Sequence, residues 1–316
     1  MGLKLQKPAV VTILALVSCF LWGSAFPCVK IGYEWFHIKG TANQILFAGY
    51  RFFLAGVFTF IIGSILEKRI LMMKKSSFLC IFGQGVLQTT IQYFFFYIGL
   101  ANTTGAKGSI ISGSNGLISI IAAHFMLKSE KMTRKKWIGC ILGLAGVVVV
   151  NLSPGAWGEG FNPMGEGLIV ICAVSYGISS ITLKKISHRE SPMTITAYQL
   201  LLGSSLLIAA GWLLGGEVHG FTIKSTFLFL YLALLSTGAF SIWTVLMKYN
   251  PVGRVSIYIF SVPIFGVVLS GLLLGEQILS VKNLTALVLV SIGILIVNSK
   301  TEESVSGQLP TSLGGE

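Results

Sequence analysis

The sequence predicts an all-α integral membrane protein of ten transmembrane helices, arranged as two inverted five-helix repeats. Three observations predict it. Apolar residues make up 53% of the chain and charged residues only 11%, whereas a soluble domain carries roughly 25% charged residues. Apolar blocks of about 20 residues, each long enough for the ~30 Å hydrocarbon core, follow one another with short polar breaks. Finally, short patterns in the first half return at matching places in the second.

In chain order the spans fall near residues 10–32, 43–64, 77–100, 105–127, 136–152, 165–186, 193–214, 225–247, 252–274 and 283–299. The first follows Lys4 and Lys7 and contains Leu16-Val17-Ser18-Cys19, which looks like a lipoprotein cleavage box. Its apolar run continues to Ile31, long enough to cross the bilayer, and no small-residue cleavage site follows, so it reads as a helix that stays. The second span holds Arg51, the third a row of glutamines, and the fourth a Ser/Gly-rich start, Ser109–Gly116. Gly139/Gly143 in the fifth span and Gly271/Gly275 in the ninth are GxxxG pairs, read as helix contacts. The longest break, Ser153–Met164, is rich in Gly and Pro and halves the chain. The domains are therefore 1–152, an outer linker 153–164, 165–299, and a polar tail 300–316 expected to be disordered and cytoplasmic.

Charge placement gives the orientation. Lys4, Lys7, Lys68, Arg69, Lys74, Lys75, Lys128, Lys131, Arg134, Lys135, Lys136, Lys184, Lys185, Arg189, Lys248, Arg254 and Lys300 fall on one side of a ten-span chain. Only Lys39, Lys107, Lys224 and Lys282 fall on the other. Positive loops stay inside, so both termini are cytoplasmic, as in a multi-pass protein of the plasma (inner) membrane. The net charge of +12 is thus a topology signal and not a nucleic-acid surface. Aspartate is absent, and the five cysteines lie singly in apolar blocks, so the chain predicts neither a metal site nor a cofactor. No HExxH, GxSxG or paired-acid cluster suggests an enzyme.

Trp22-Gly23 followed by Lys30 parallels Tyr176-Gly177 followed by Lys184. Leu127-Lys128-Ser129-Glu130 closes the fourth span and Leu274-Gly275-Glu276 the ninth, and the fifth and tenth end in Gly146–Asn151 and Gly293–Asn298. Five spans per half is an odd number, so the halves enter the membrane in opposite senses, the arrangement that supports alternating access. With Ala48-Gly-Tyr-Arg51-Phe52, these elements resemble the EamA-type transporters of the drug/metabolite transporter superfamily over roughly residues 10–299. The resemblance implies a 5+5 inverted-repeat fold and secondary transport of a small-molecule metabolite, often an amino acid, with drug or nucleotide-sugar transport as the alternative. A homodimer is compatible with it. The proline that the family often carries in spans four and nine is present as Pro263 in the ninth, while the fourth has Ser112-Gly-Ser-Asn-Gly116 instead.

An ionisable residue inside the membrane is costly and so a functional candidate. Arg51 is the deepest, and its planar fork suits a carboxylate. Gln84, Gln88 and Gln92, spaced i, i+4, i+8, form one polar stripe that must avoid lipid. Tyr93 and Tyr97 fall on the other side of that helix, which favours the glutamines as the pathway. Ser112 and Asn115 offer polar groups among glycines, and Trp22, Tyr176 and Trp243 offer aromatic walls. Ser24, Gln199 and Tyr258 complete the expected substrate pathway, and His124 is the candidate for proton coupling. The absence of a deep acid argues against cationic drugs and favours carboxylate-bearing solutes.

Overall fold

In the computed structural model the described residues are 5–102, 111–151, 161–274 and 281–299. The expected start of the fourth span, most of the outer linker, Glu276 and the tail lie outside them. Among the described residues all regular structure is helical. In chain order come α1 (Pro8–Trp35), α2 (Thr41–Leu66), α3 (Phe78–Gly85), a π-helical turn (Val86–Ile91) and α4 (Gln92–Ala101). Next are α5 (Asn115–Met126), α6 (Arg134–Asn151), a π turn at Pro163–Gly167 running into α7 (Leu168–Ile186), α8 (Pro192–Leu213) and α9 (Ile223–Tyr249). Last are α10 (Val252–Ser256), a 3-10 turn (Ile257–Ser261), α11 (Val262–Leu274) and α12 (Val281–Asn298).

Among the described residues six helical stretches are long and apolar enough to cross a membrane: Pro8–Trp35, Thr41–Leu66, Pro163–Ile186, Pro192–Leu213, Ile223–Tyr249 and Val252–Leu273. Ile111–Met126 and Leu284–Asn298 are apolar but shorter. The expected third span is interrupted by its π turn, and α6 begins with three cations, Arg134-Lys135-Lys136. The linker ends earlier than expected, because Pro163 already starts a helical turn, with Asn162 accepting from Met164 N as its cap.

Apolar side chains face outward as well as inward. Ile13, Ile65, Leu79, Leu213 and Leu295 are each more than 60% exposed on helix faces, which suits lipid and not water. With apolar solvent outside, helices hold together by close packing of small residues. Two glycine seams do this. On α2, an added Cβ at Gly49 would meet Ile208 of α8 at 2.8 Å, at Gly56 the Leu201 N at 2.9 Å, and at Gly63 the Met193 Cβ at 2.9 Å. One number rises as the other falls, so α2 and α8 are antiparallel. On α6, an added Cβ at Gly139 would meet the Gly293 carbonyl of α12 at 2.8 Å and one at Gly146 that of Ala286 at 2.9 Å, again antiparallel. Beside these seams, α1 lies against α9 and α11, and α7 lies against α4 and α5.

Polar contacts gather at two ends. At one, Asn250 Nδ2 donates to Leu5 O, Arg254 to Gln6 O, the Lys74 N–H to Glu190, and Tyr198 to Leu71 O. At the other, Asn162 Nδ2 donates to Asn102 O, Trp212 Nε1 to the Tyr50 hydroxyl, and Glu217 N to Asn43. The first end holds the loops rich in Lys and Arg and is the basic end of the molecule. The seams make a direct prediction. Gly56→Val and Gly139→Val should each destabilise the fold by roughly 1–3 kcal/mol through overpacking, while Gly83→Ala, whose Cβ meets nothing within 4 Å, should be neutral. Thermal unfolding in detergent checks this, and an equal effect at all three positions would contradict it.

Candidate functional site

Trp22 lies near the middle of α1, a helix whose first turn starts at Pro8 and whose Gly23 lets α11 approach, since a Cβ there would meet Gly266 N at 3.0 Å. The Trp22 ring centroid lies 5.0 Å from Trp243 and 5.5 Å from Phe240, both of α9. Phe240 is 6.1 Å from Phe52 of α2, which is 4.4 Å from Tyr93 of α4, itself 6.4 Å from Tyr97. Offset and edge contacts at these distances are the favourable aromatic geometries. They line up as one aromatic column through α1, α2, α4 and α9.

Arg51 stands beside the column. It lies ten residues into α2, about 15 Å from the start of that helix, and is only 4% exposed. Its guanidinium carbon sits 4.3 Å from the Phe52 ring centroid, and Tyr33 and Tyr93 lie nearby. Among the described residues no carboxylate pairs with it, and its Nε and the Tyr33 hydroxyl are buried without hydrogen-bond partners. A buried charge lacking an opposite charge costs free energy, so the arrangement is incomplete as it stands. On the far side of Tyr93, Tyr176 of α7 comes near Cys19, Tyr93 and Trp243, and neither the Tyr176 hydroxyl nor Trp243 Nε1 has a partner.

The glutamines sit elsewhere. Gln84 Nε2 donates to Gln88 Oε1 at 2.6 Å, and this stretch packs on α8, where a Cβ at Gly85 would meet Gln199 O at 2.7 Å and Thr90 donates to Gly203 O. The π turn adds a residue to that helical turn and rotates the helix beyond it, so the row of three is broken between Gln88 and Gln92. The structure thus brings Tyr93 to the Phe52 ring beside Arg51, with Tyr97 next to Tyr93, and leaves Gln84, Gln88 and Gln199 at the α3–α8 contact. Gln84 Oε1, Gln92 Oε1 and both amide atoms of Gln199 are buried without partners.

The other expected residues divide similarly. Asn115 Oδ1 is buried without a partner where α5 crosses α10, a Cβ at Gly116 meeting Ser256 O at 2.7 Å. Ser112 is half-buried one turn away. Ser24 is occupied in joining α1 to α9, with its hydroxyl 3.0 Å from that of Tyr231. Tyr258 is bound to Thr12 at 2.7 Å, close to the start of α1. His124 Nδ1 accepts the Met132 N–H at 3.1 Å and so fastens the loop after α5.

That loop carries Glu130, buried at the basic end. Its two oxygens accept from Val252 N at 2.6 Å and Gly253 N at 2.9 Å, the first turn of α10. Nearby, Lys184 donates to the carbonyls of Met247, Lys248 and Asn250, where α9 ends. A carboxylate on N-terminal amides and an ammonium on C-terminal carbonyls both complement the helix dipole. Together they tie the loop after α5, the end of α9 and the start of α10 to one another at the basic end. Sequence reading named Tyr93 and Tyr97 but set them behind the glutamines, and it did not single out Tyr33 or the Glu130 tie. An i, i+4 tyrosine pair in an apolar span was the available signal for the tyrosines.

Several helices long enough to span a membrane, outward apolar faces and polar atoms buried among them define the class: a multi-pass membrane protein. The EamA-like transporter family model matches twice, over residues 10–152 and 163–299, so the chain belongs to that family. It is 26% identical over 303 residues to the uncharacterized transporter YvbV of Bacillus subtilis, covering 95% of this chain and 94% of that one. It is also 26% identical over 294 residues to an uncharacterized transporter of Archaeoglobus fulgidus, covering 91% and 98%. A solved crystal structure at 19% identity superposes with a TM-score of 0.76 over 92% of this chain and 96% of the other, which shows a shared fold.

Removing the Glu130 carboxylate leaves two buried N–H groups unpaired. Glu130→Ala should therefore cost roughly 2–4 kcal/mol, and Glu130→Gln, whose amide oxygen still accepts one of them, clearly less. Denaturant midpoints of the purified protein measure both, and an unchanged midpoint for Glu130→Ala contradicts the tie.

Proposed function

We propose that this protein is a secondary transporter that carries a small carboxylate-bearing metabolite, an amino acid or a close relative of one, across the plasma membrane by alternating access. The observation that carries the reading is Arg51: a buried guanidinium with no acid beside it among the described residues, set among tyrosine hydroxyls and aromatic walls. A solute carboxylate supplies the missing charge through a bidentate pair on the Arg51 fork. Tyr33 adds a hydroxyl, and Trp22, Trp243 and Tyr176 contact the body of the solute. Ser112, Asn115 and the glutamines give the polar, hydrated surroundings.

In this reading residues 1–152 and 165–299 are five-helix halves of opposite orientation, ten spans in all, with both termini in the cytoplasm. Helix pairing supports it. Exchanging each helix for its counterpart turns the α2–α8 and α6–α12 pairs into themselves and turns the packing of α1 on α9 and α11 into that of α7 on α4 and α5. Counterparts in an inverted repeat run in opposite directions, and both seams are antiparallel. The double family match supports the same division. Alternating access then requires the Glu130–α10 tie to break when the basic end opens. His124, whose Nδ1 accepts the Met132 N–H and so fastens the loop that carries Glu130, is the residue assigned to proton coupling in this reading.

The test is counterflow in proteoliposomes with a panel of amino acids and related carboxylates. Arg51→Ala should insert normally and lower uptake of the accepted solute roughly 10–100-fold, the worth of a charge-assisted hydrogen bond. Wild-type uptake by Arg51→Ala contradicts the proposal.

A further inference from the structure

At the basic end a groove of about 390 Å³ opens between the loop after α5, the first turns of α6 and α10, and the end of α12. Lys131 and Lys136 line it from one side and Arg254 from the other, with the hydroxyls of Ser129 and Thr133 and the amide of Asn298 between them. Glu130 also borders it; its oxygens accept from the Val252 and Gly253 amides and its carboxylate pairs with Lys136 Nζ at 3.9 Å. Three cations against this one carboxylate leave the groove with a positive excess. Lys136 has otherwise only the Lys131 carbonyl at 3.0 Å, and Arg254 commits one N–H, to Gln6 O at 3.3 Å. The Lys131 ammonium is exposed and holds no partner among the described residues. Asn298 donates through Nδ2 to Ile294 O and leaves a buried Oδ1 unpartnered.

With one of the three cations paired to Glu130, the excess positive charge of Lys131 and Arg254 around one concave space attracts an anion. The mixture of a guanidinium fork, ammonium groups and hydroxyls matches the several acceptor oxygens of a phosphate. Depth identifies the source. Trp137, next to Lys136, is 48% exposed at the start of α6, and the outward apolar residues Ile138 and Ile141 come directly after it. Tryptophan in that position sits at headgroup level. We propose that this groove binds the phosphate of an anionic lipid headgroup, and that the bound phosphate clamps the 129–136 segment to α10. The clamp acts across the same junction as Glu130 and holds the basic end closed, so anionic lipid acts on the conformational state of the protein.

The full chain is placed in phosphatidylcholine nanodiscs, in mixed phosphatidylcholine–phosphatidylglycerol nanodiscs, and in phosphatidylcholine nanodiscs with added inorganic phosphate. The unfolding midpoint is read in each. Phosphatidylglycerol should raise the midpoint by several degrees. The combined Lys131→Gln, Lys136→Gln, Arg254→Gln variant should lose most of that rise, and Lys131→Gln alone, which breaks no internal contact, should lose part of it. A charge-matched control, Lys68→Gln, Lys75→Gln, Lys185→Gln, should keep the rise, which separates the groove from general surface charge. A full rise in the groove variant overturns the site. An equal rise with inorganic phosphate, abolished in the groove variant, overturns the lipid as its source.

Discussion

The structure depends on two places where backbones touch. A helix in hydrocarbon gains nothing from burying apolar side chains against another helix, so association rests on close packing and on the few polar contacts available. Glycines at 49, 56 and 63 on α2, with Gly211 on α8, bring α2 and α8 together, and glycines at 139, 146 and 293 do the same for α6 and α12. Both crossings are antiparallel, and each joins an early helix to a late one. Beside those four helices, α1 packs on α9 and α11, and α7 packs on α4 and α5.

The candidate site is a consequence of that placement. Trp22 comes from α1 and Tyr176 from α7, and Arg51 is buried on α2 between the seam glycines 49 and 56 of that helix. Within an apolar bundle every polar atom without a partner works against folding. Arg51 Nε, the hydroxyls of Tyr33 and Tyr176, Trp243 Nε1 and Asn115 Oδ1 are such atoms, and most border the aromatic column. Departures from self-consistency of this kind are expected where function, not stability, sets the sequence. At the basic end the opposite holds: Glu130 and Lys184 satisfy helix termini and give that end its rigidity.

Much of this was legible in the sequence. Hydropathy placed α1, α2, α8 and α9 within a few residues, the GxxxG of the fifth span marked a real seam, and cost alone singled out Arg51. The choice between glutamines and tyrosines on the third span was not legible. Spacing shows which residues share a face but not which way that face turns, and the π turn at Val86–Ile91 shifts the face partway along. The Glu130 tie was hidden for another reason: its partners lie 122 and 123 residues away, and a backbone amide leaves no signature in composition. Lys184 was legible as a cation near a span end, but its role in capping α9 was not.

The central claim is that the two halves stand in opposite orientations around one buried arginine. It is tested most directly by cysteine labelling of equivalent loops from either side of oriented membrane vesicles, in a background with the five native cysteines replaced. A cysteine at Lys39, after the first helix, should react with an impermeant maleimide from one side only. A cysteine at Arg189, after the matching helix of the second half, should react only from the other. Labelling of both from the same side would contradict the account.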